Sequence, residues 1–285
     1  MKALSDQKGK GGWNMKIGYQ TNTWGGVVGH PAGVTSVKDL FYLANGSTEQ
    51  AIRDIAAAGY QGIELFDGNL VQYENRMDEF RRLLSGSGLD LIGVYTGANF
   101  IYEDILPDEM AKIEKTAELA AAAGAEHLVL GGGAVRAAGI RDEDFAALAK
   151  GLDIAAGIAR RHGLQASYHP HLGTMVERPD QLDRLMPLTD IPLCPDTAHI
   201  EAGGGDPLEV IRKYGSRITY IHFKDYRSGA FVPLGEGGQS FGDMLRLLRE
   251  QGYDGWVTIE LDSHDDPAKA AGISRAYLRD TLHLR

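Results

Sequence analysis

The 285-residue sequence predicts an α/β fold, a single-domain (β/α)8 (TIM) barrel, on three observations. A helix-to-strand junction recurs six times: a glycine closes a helix and an apolar run follows. The junctions are Ala57-Ala58-Gly59, Ser87-Gly88, Ala123-Gly124, His162-Gly163, Tyr214-Gly215 and Gln251-Gly252. With strands added at 16–21 and 191–196, eight strands end near residues 21, 66, 95, 130, 169, 196, 223 and 260. Their mean spacing is about 34 residues, the length of one βα unit. The loops leaving the strands are long, at 22–47, 96–107, 170–178 and 224–240, whereas those entering them take three or four residues. Long loops at the C-terminal face are where barrel enzymes hold their chemistry.

In chain order, residues 1–14 are polar and Gly-rich and read as a tail or early start, with the barrel domain over 15–285. The segment lacks the apolar core of a signal peptide. Ser47 and Gln50 form a capping-box pattern ahead of Ala51, Ile52 and Ile55. Strand two runs through 60–66, strand three through 89–95 and strand four through 125–130. Gly131-Gly132-Gly133 follows strand four and has room for a ligand, but no P-loop lysine accompanies it. Phe145, Leu148, Ala149, Leu152, Ala155 and Ile158 share a helix face, preceded by Asp142, Glu143 and Asp144 at the dipole-favoured end. Strand five covers 164–169, strand six 191–196, strand seven 218–223 and strand eight 253–261.

Composition narrows the function classes. Hydrophobic residues at 43% and charged residues at 24% describe a globular protein and exclude disordered and fibrous classes. A net charge of −10 argues against nucleic acid and anionic membrane as partners. One cysteine, Cys194, permits no internal disulfide; it suits a reducing, cytoplasmic setting and reads as a core residue. No apolar run is long enough to span a bilayer.

Four consecutive strands end in ionisable residues: Tyr168-His169-Pro170-His171 with Glu177 behind it, Pro195-Asp196-Thr197-Ala198-His199, His222-Phe223-Lys224-Asp225, and Thr258-Ile259-Glu260. Such groups are costly to bury singly, and a shared divalent cation accounts for all of them at once. Asp196, His222 and Glu260 are the expected ligands, joined by Glu177 as the fourth, with His169 as the alternative in that place. Carboxylate and imidazole donors without thiolate suit Mn2+, the favoured ion, or Co2+, Mg2+ or Zn2+. His169, His171 and His199 supply acid/base capacity, and Lys224 is placed to polarise a carbonyl. Glu64 ends strand two and can bind a hydroxyl; Trp24 is a candidate sugar platform and Arg227 a hydroxyl or anion contact. His30, His127, His162, His264 and His283 receive no role.

The stretches Tyr168-His-Pro-His-Leu-Gly-Thr, Asp196-Thr-Ala-His199, His222-Phe-Lys-Asp225, Pro233-Leu-Gly-Glu-Gly and Gly252-Tyr-Asp-Gly-Trp-Val-Thr-Ile-Glu260 resemble the xylose-isomerase-like barrel superfamily of sugar (phosphate) isomerases and epimerases. Within it the sequence is most similar to inosose dehydratases and to keto-glycoside and C-glycoside deglycosidase subunits. The resemblance spans the barrel from Met15 onward and implies a Glu, Asp, His, Glu ligand set. Three of these fall on Asp196, His222 and Glu260, and His169 stands where the first glutamate normally ends strand five. His199 is implied to sit beside the metal and touch substrate.

The expected activity is that of a metal-dependent lyase on a keto-sugar or keto-cyclitol: proton abstraction beside the carbonyl, then β-elimination. Reprotonation of the enediolate would instead give an epimerase or isomerase. Two other classes are an endonuclease-like phosphodiesterase, disfavoured by the acidic charge, and a non-catalytic binding subunit. The long 22–47 loop suggests a larger substrate or a small second subunit, with a homo-oligomer as the other assembly expected.

Overall fold

A computed structural model describes residues 15–26 and 41–284. The expected tail and residues 27–40 of the 22–47 loop lie outside the described residues. The elements are β1 (Ile17–Gln20), α1 (Thr48–Ala58), β2 (Gly62–Phe66), α2 (Asp67–Val71), α3 (Met77–Ser87), β3 (Asp90–Ala98), α4 (Leu106–Ala123), β4 (His127–Gly132), α5 (Asp142–Arg161) and β5 (Gln165–Tyr168). They continue as α6 (Pro179–Leu185), α7 (Thr197–Ala202), α8 (Pro207–Tyr214), β6 (Ile221–Phe223), β7 (Asp225–Arg227), β8 (Ala230–Val232), α9 (Phe241–Glu250), β9 (Val257–Ile259) and α10 (Pro267–Asp280).

Seven strands form one parallel sheet in the order β5-β4-β3-β2-β1-β9-β6. Residues 191–196, expected as strand six, make isolated bridges instead: Tyr168 with Leu193, Leu193 with Ile218, and Asp196 with His222. The reason is covalent, because Pro192 and Pro195 each remove a ladder donor. The closure survives on the remaining groups: Cys194 donates to the Tyr168 carbonyl at 2.7 Å and Leu193 to that of Arg217 at 2.8 Å. In return the Pro195 carbonyl accepts the His222 N–H at 3.0 Å. The sheet therefore curls into the expected eight-position barrel.

The helices form where the periodicity placed them. All six face residues of α5 are buried, and Asp144 in its first turn accepts the Arg141 N–H at 2.9 Å. Ser47 caps α1 by accepting the Gln50 N–H at 3.1 Å, while the Gln50 side chain turns to Asp54. Five junction glycines are left-handed, as their role in ending helices requires, and Gly215 departs with φ −54°. The chain there runs on from α8 through a 3-10 turn over Gly215–Arg217, so no helix-ending left-handed residue is needed at that point. Among the described residues no helix is long and apolar enough to cross a membrane.

The loop after β6 carries structure that the sequence reading left open. β7 and β8 pair as an antiparallel hairpin. The buried Asp225 carboxylate fastens its base by accepting the N–H groups of Tyr226, Gly235 and Gly237, each at 2.9 Å. The triple glycine runs through the end of β4 and is a packing feature: a Cβ on Gly131 would enter the Tyr95 ring and one on Gly132 would meet the Ala98 carbonyl.

Candidate active site

Four ionisable side chains converge at the C-terminal ends of β5, β6, β9 and the 191–196 segment. His169 directly follows β5 and is tied to the sheet by its N–H on the Leu130 carbonyl at 2.8 Å. Asp196 is the N-cap of α7: its Oδ1 accepts the Ala198 and His199 N–H groups at 2.8 and 2.9 Å, leaving Oδ2 turned inward. His222 lies at the centre of β6, and Glu260 follows β9 with its N–H on the Phe223 carbonyl at 3.1 Å. All four are buried, and one donor atom from each lies within 4.8 Å of the others.

The hydrogen-bond pattern is that of a set waiting for a common partner. Both ring nitrogens of His169, Oδ2 of Asp196 and Nδ1 of His222 are buried without a hydrogen bond. His222 Nδ1 stands 2.6 Å from Glu260 Oε2, yet their geometry is not that of a hydrogen bond. Buried polar atoms are normally satisfied, and each orphan costs about 1–3 kcal/mol. A divalent cation would satisfy Asp196 Oδ2, His222 Nδ1 and one of the two His169 nitrogens, so the residues present fit such an ion. Glu64, fully buried, orients the imidazole by contacting His222 Nε2 at 2.9 Å and accepts from Gln20 Nε2 at 2.9 Å.

Beside this group sits a second one. Lys224 is fully buried; its ammonium donates to Glu260 Oε1 at 3.1 Å and to Asp262, and lies 3.1 Å from His199 Nε2. Burial works against the ammonium, but Asp262, Glu260 and Asp196 together hold its pKa well above the ordinary lysine range. His171 and His199 approach with ring centroids 3.7 Å apart. Burial first, then Lys224, lowers the pKa of His171; burial, His171 and Lys224 lower that of His199 much further. Both are therefore neutral imidazoles near neutral pH, each with one N–H and one lone pair: Lys224 takes the lone pair of His199 at Nε2, and the Leu172 carbonyl takes the N–H of His171 at Nδ1. Burial raises the Asp196 carboxyl, whereas Lys224 and His222 overcome burial at Glu260 and keep it ionised.

The structure brings together His169, His171, Asp196, His199, His222, Lys224, Glu260 and Glu64. Glu177 stands apart from the four-residue group; it is half-buried, and its Oε2 accepts the Gly173 N–H at 3.0 Å. Trp24 is buried with its indole N–H on Asp54 at 3.0 Å and its ring edge-on to Tyr19. It is a wall of the core. Arg227 is exposed at the hairpin turn.

Sequence reasoning missed four contributors. Asp262 anchors Lys224 from beyond the end of β9, and Asn22 donates to Glu260 Oε1 at 3.1 Å from the loop after β1. Phe231 of the hairpin covers His199, with ring centroids 5.2 Å apart, and lies 4.4 Å from the Lys224 ammonium. Tyr95 meets His169 edge-on. The signal for Asp262 was its place two residues beyond a strand-end glutamate; Phe231 carried none.

An unsatisfied imidazole and carboxylate group at the C-terminal mouth of a (β/α)8 barrel defines a barrel of the enzyme type. Residues 52–281 match the xylose isomerase-like TIM barrel family, and the chain belongs to it. It is 30% identical over 275 residues to an inosose dehydratase of Lacticaseibacillus casei, covering 83% of this chain and 90% of the relative. Two crystal structures share the fold. One is the probable 3-DHS dehydratase AsbF involved in petrobactin synthesis from Bacillus anthracis, with TM-score 0.74, 16% identity, 94% of this chain and 100% of that chain. The other is the IOLI protein with a binding zinc atom, with TM-score 0.73, 17% identity, 93% of this chain and 97% of that chain.

Proposed function

We propose that this protein is a divalent-cation-dependent lyase that dehydrates a neutral keto-cyclitol or keto-sugar. The observation that carries this reading is the convergence of His169, Asp196, His222 and Glu260, the first three with orphaned polar atoms, beside two neutral imidazoles. Similarity to inosose dehydratase supports the substrate class. His169, Asp196, His222 and Glu260 would hold the cation, with His169 taking the place for which Glu177 was the other candidate. The bound cation supplies Lewis-acid polarisation of a substrate carbonyl, which acidifies the neighbouring C–H. Mn2+ suits the mixed set, and Co2+, Zn2+ and Mg2+ are the other ions to try.

The chain's own residues divide the proton work. His171, whose Nδ1–H is held by the Leu172 carbonyl at 2.7 Å, presents its Nε2 lone pair to take the proton from the carbon beside the carbonyl. The departing β-hydroxyl takes the unshared Nδ1 proton of His199 as the C–O bond breaks, while Lys224 passes an ammonium proton to Nε2 of the same ring, so the balance is substrate to enone plus water with the abstracted proton left on His171. Lys224, fixed by Asp262 and Glu260, donates to His199 Nε2 and keeps that imidazole neutral and oriented. Phe231 lies over both and sheds water from the mouth.

Charge favours a neutral substrate. Asp196, Glu260 and Asp262 face one ammonium, Lys224, and Glu64 adds a further buried carboxylate against His222. A phosphorylated sugar or a hydroxy acid would meet excess negative charge here. Incubation of the Mn2+-loaded protein with an inosose, a 3-keto-glucoside and a free ketose tests the reading. Loss of water from the inosose, abolished by a chelator and restored by Mn2+, is expected. Return of an epimer with no water lost would overturn elimination in favour of epimerisation.

A further inference from the structure

Cys194 is the one cysteine of the chain and is fully buried in the segment that closes the barrel. It packs with the interior layer of Tyr95, Val129, Tyr220 and Trp256. Its position is nevertheless not that of a simple core thiol. One donor atom each from His169, Cys194 and His222 lie within 4.8 Å of one another. His169 is 1% exposed, and neither of its ring nitrogens has a hydrogen-bond partner, so it can serve a ligand on either edge of the ring.

The geometry points to a second cation site, formed by Cys194, His169 and His222, that takes a thiophilic ion such as Cd2+ or Zn2+. It shares both imidazoles with the carboxylate group, so the barrel mouth holds two overlapping donor sets of different softness. Oxygen-rich Asp196 and Glu260 favour Mn2+ or Mg2+, and thiolate with two imidazoles favours softer ions. Binding of the softer ion releases the thiol proton to solvent and draws both imidazoles away from the carboxylates. A thiophilic ion therefore displaces the harder one, and the site is regulated by which metal reaches it. This inference rests on the reading that His169 and His222 belong to the cation-dependent centre.

Titration of the full-length protein with Cd2+ tests it through thiolate-to-cadmium charge-transfer absorption, which only Cys194 can supply. Bound Mn2+ is followed in parallel by electron paramagnetic resonance. The expected result is a charge-transfer band in the wild type, release of Mn2+ as it grows, and loss of the band in Cys194→Ala. Cd2+ affinity should fall at least about tenfold in that variant while Mn2+ affinity changes less than about threefold. X-ray absorption at the zinc edge of wild-type protein gives the same answer without a variant, by the presence of sulfur around the ion. Mn2+ binding with no band and no sulfur overturns the second site and leaves the first standing. A band that grows while Mn2+ stays bound overturns the sharing of imidazoles. If neither ion binds, the cation-dependent reading falls as well.

Discussion

Two buried polar clusters stand at the C-terminal end of the same barrel, and they differ in one respect. Around Asp67, at the start of α2, every acceptor is met: Oδ1 takes the N–H groups of Tyr42 and Gly68 at 2.7 and 2.8 Å, and Oδ2 takes the Thr96 hydroxyl at 2.7 Å. Lys112 lies 3.5 Å from Oδ2 and donates to the Gly97 carbonyl. Burial raises the Asp67 pKa and lowers that of Lys112, with the pair's attraction opposing both shifts. Around Asp196, by contrast, Oδ2 and three imidazole nitrogens of His169 and His222 have no hydrogen bond. Closed clusters fasten a fold, and open ones accept a ligand; burial and charge alone do not separate the two.

The largest effect should come from opening the comparison at its ligand side. Asparagine caps helices as well as aspartate does, so Asp196→Asn keeps the α7 cap while replacing the inward oxygen. Turnover of the dehydration should fall by about 10³-fold, the loss of several kcal/mol of transition-state stabilisation. Thermal stability of the metal-free protein should hold or rise, because a carboxyl pushed up by burial has been removed. Steady-state kinetics and a melting curve together check this; an active variant would break the assignment.

The reverse pattern is expected of Asp67→Ala. Leaving Lys112 buried without its carboxylate should cost about 3 kcal/mol of stability in denaturant unfolding. Mn2+ affinity, measured on the folded fraction, should stay unchanged. A loss of Mn2+ binding equal to that of Asp196→Asn would erase the distinction between the clusters.

Adding the ion itself sharpens the contrast further. Mn2+ at a hundredfold its dissociation constant should stabilise the wild type by about 2.7 kcal/mol. Asp67→Ala should gain the same increment, and Asp196→Asn almost none, in parallel unfolding curves with and without a chelator.

How much of this was legible in the chain follows from how each part is encoded. Asp196, His222 and Glu260 were readable because a polar residue ending an apolar strand breaks a regular pattern, and the pattern repeats on neighbouring strands. Pro192 and Pro195 were equally visible, yet their effect is on the ladder rather than the path, so the segment closes the barrel without being a regular strand. The Asn22 to Glu260 contact joins residues 238 apart and arises only when β1 and β9 become neighbours. Lys112 was hidden for a different reason: on a helix, a lysine that reaches back to Asp67 looks like any surface lysine. The choice between His169 and Glu177 depends on where a loop carboxylate turns, which spacing does not encode.

The smallest effect concerns an imidazole that tests whether an unshared ring nitrogen alone signals a ligand. His127, at the start of β4 and the opposite end of the strands, is buried with Nδ1 lacking a hydrogen bond, and its ring stacks on Tyr220 at 4.6 Å. No carboxylate or second histidine joins it in a donor group among the described residues. Burial lowers its pKa from 6.5 to about 4, with Glu126 opposing weakly. Because the folded-state value lies below the unfolded one, the unfolded chain binds more protons between the two. The stability contributed by neutral His127 is thus complete above about pH 6.5 and is lost as pH falls towards 4. Between pH 7 and 5 the loss should be about 2 kcal/mol. His127→Phe, which keeps the stack on Tyr220, should flatten that part of the pH–stability curve while leaving Mn2+ affinity untouched. An unflattened curve would mean that His127 is already protonated or solvated in the fold, and a change in Mn2+ affinity would tie this imidazole to the open cluster after all.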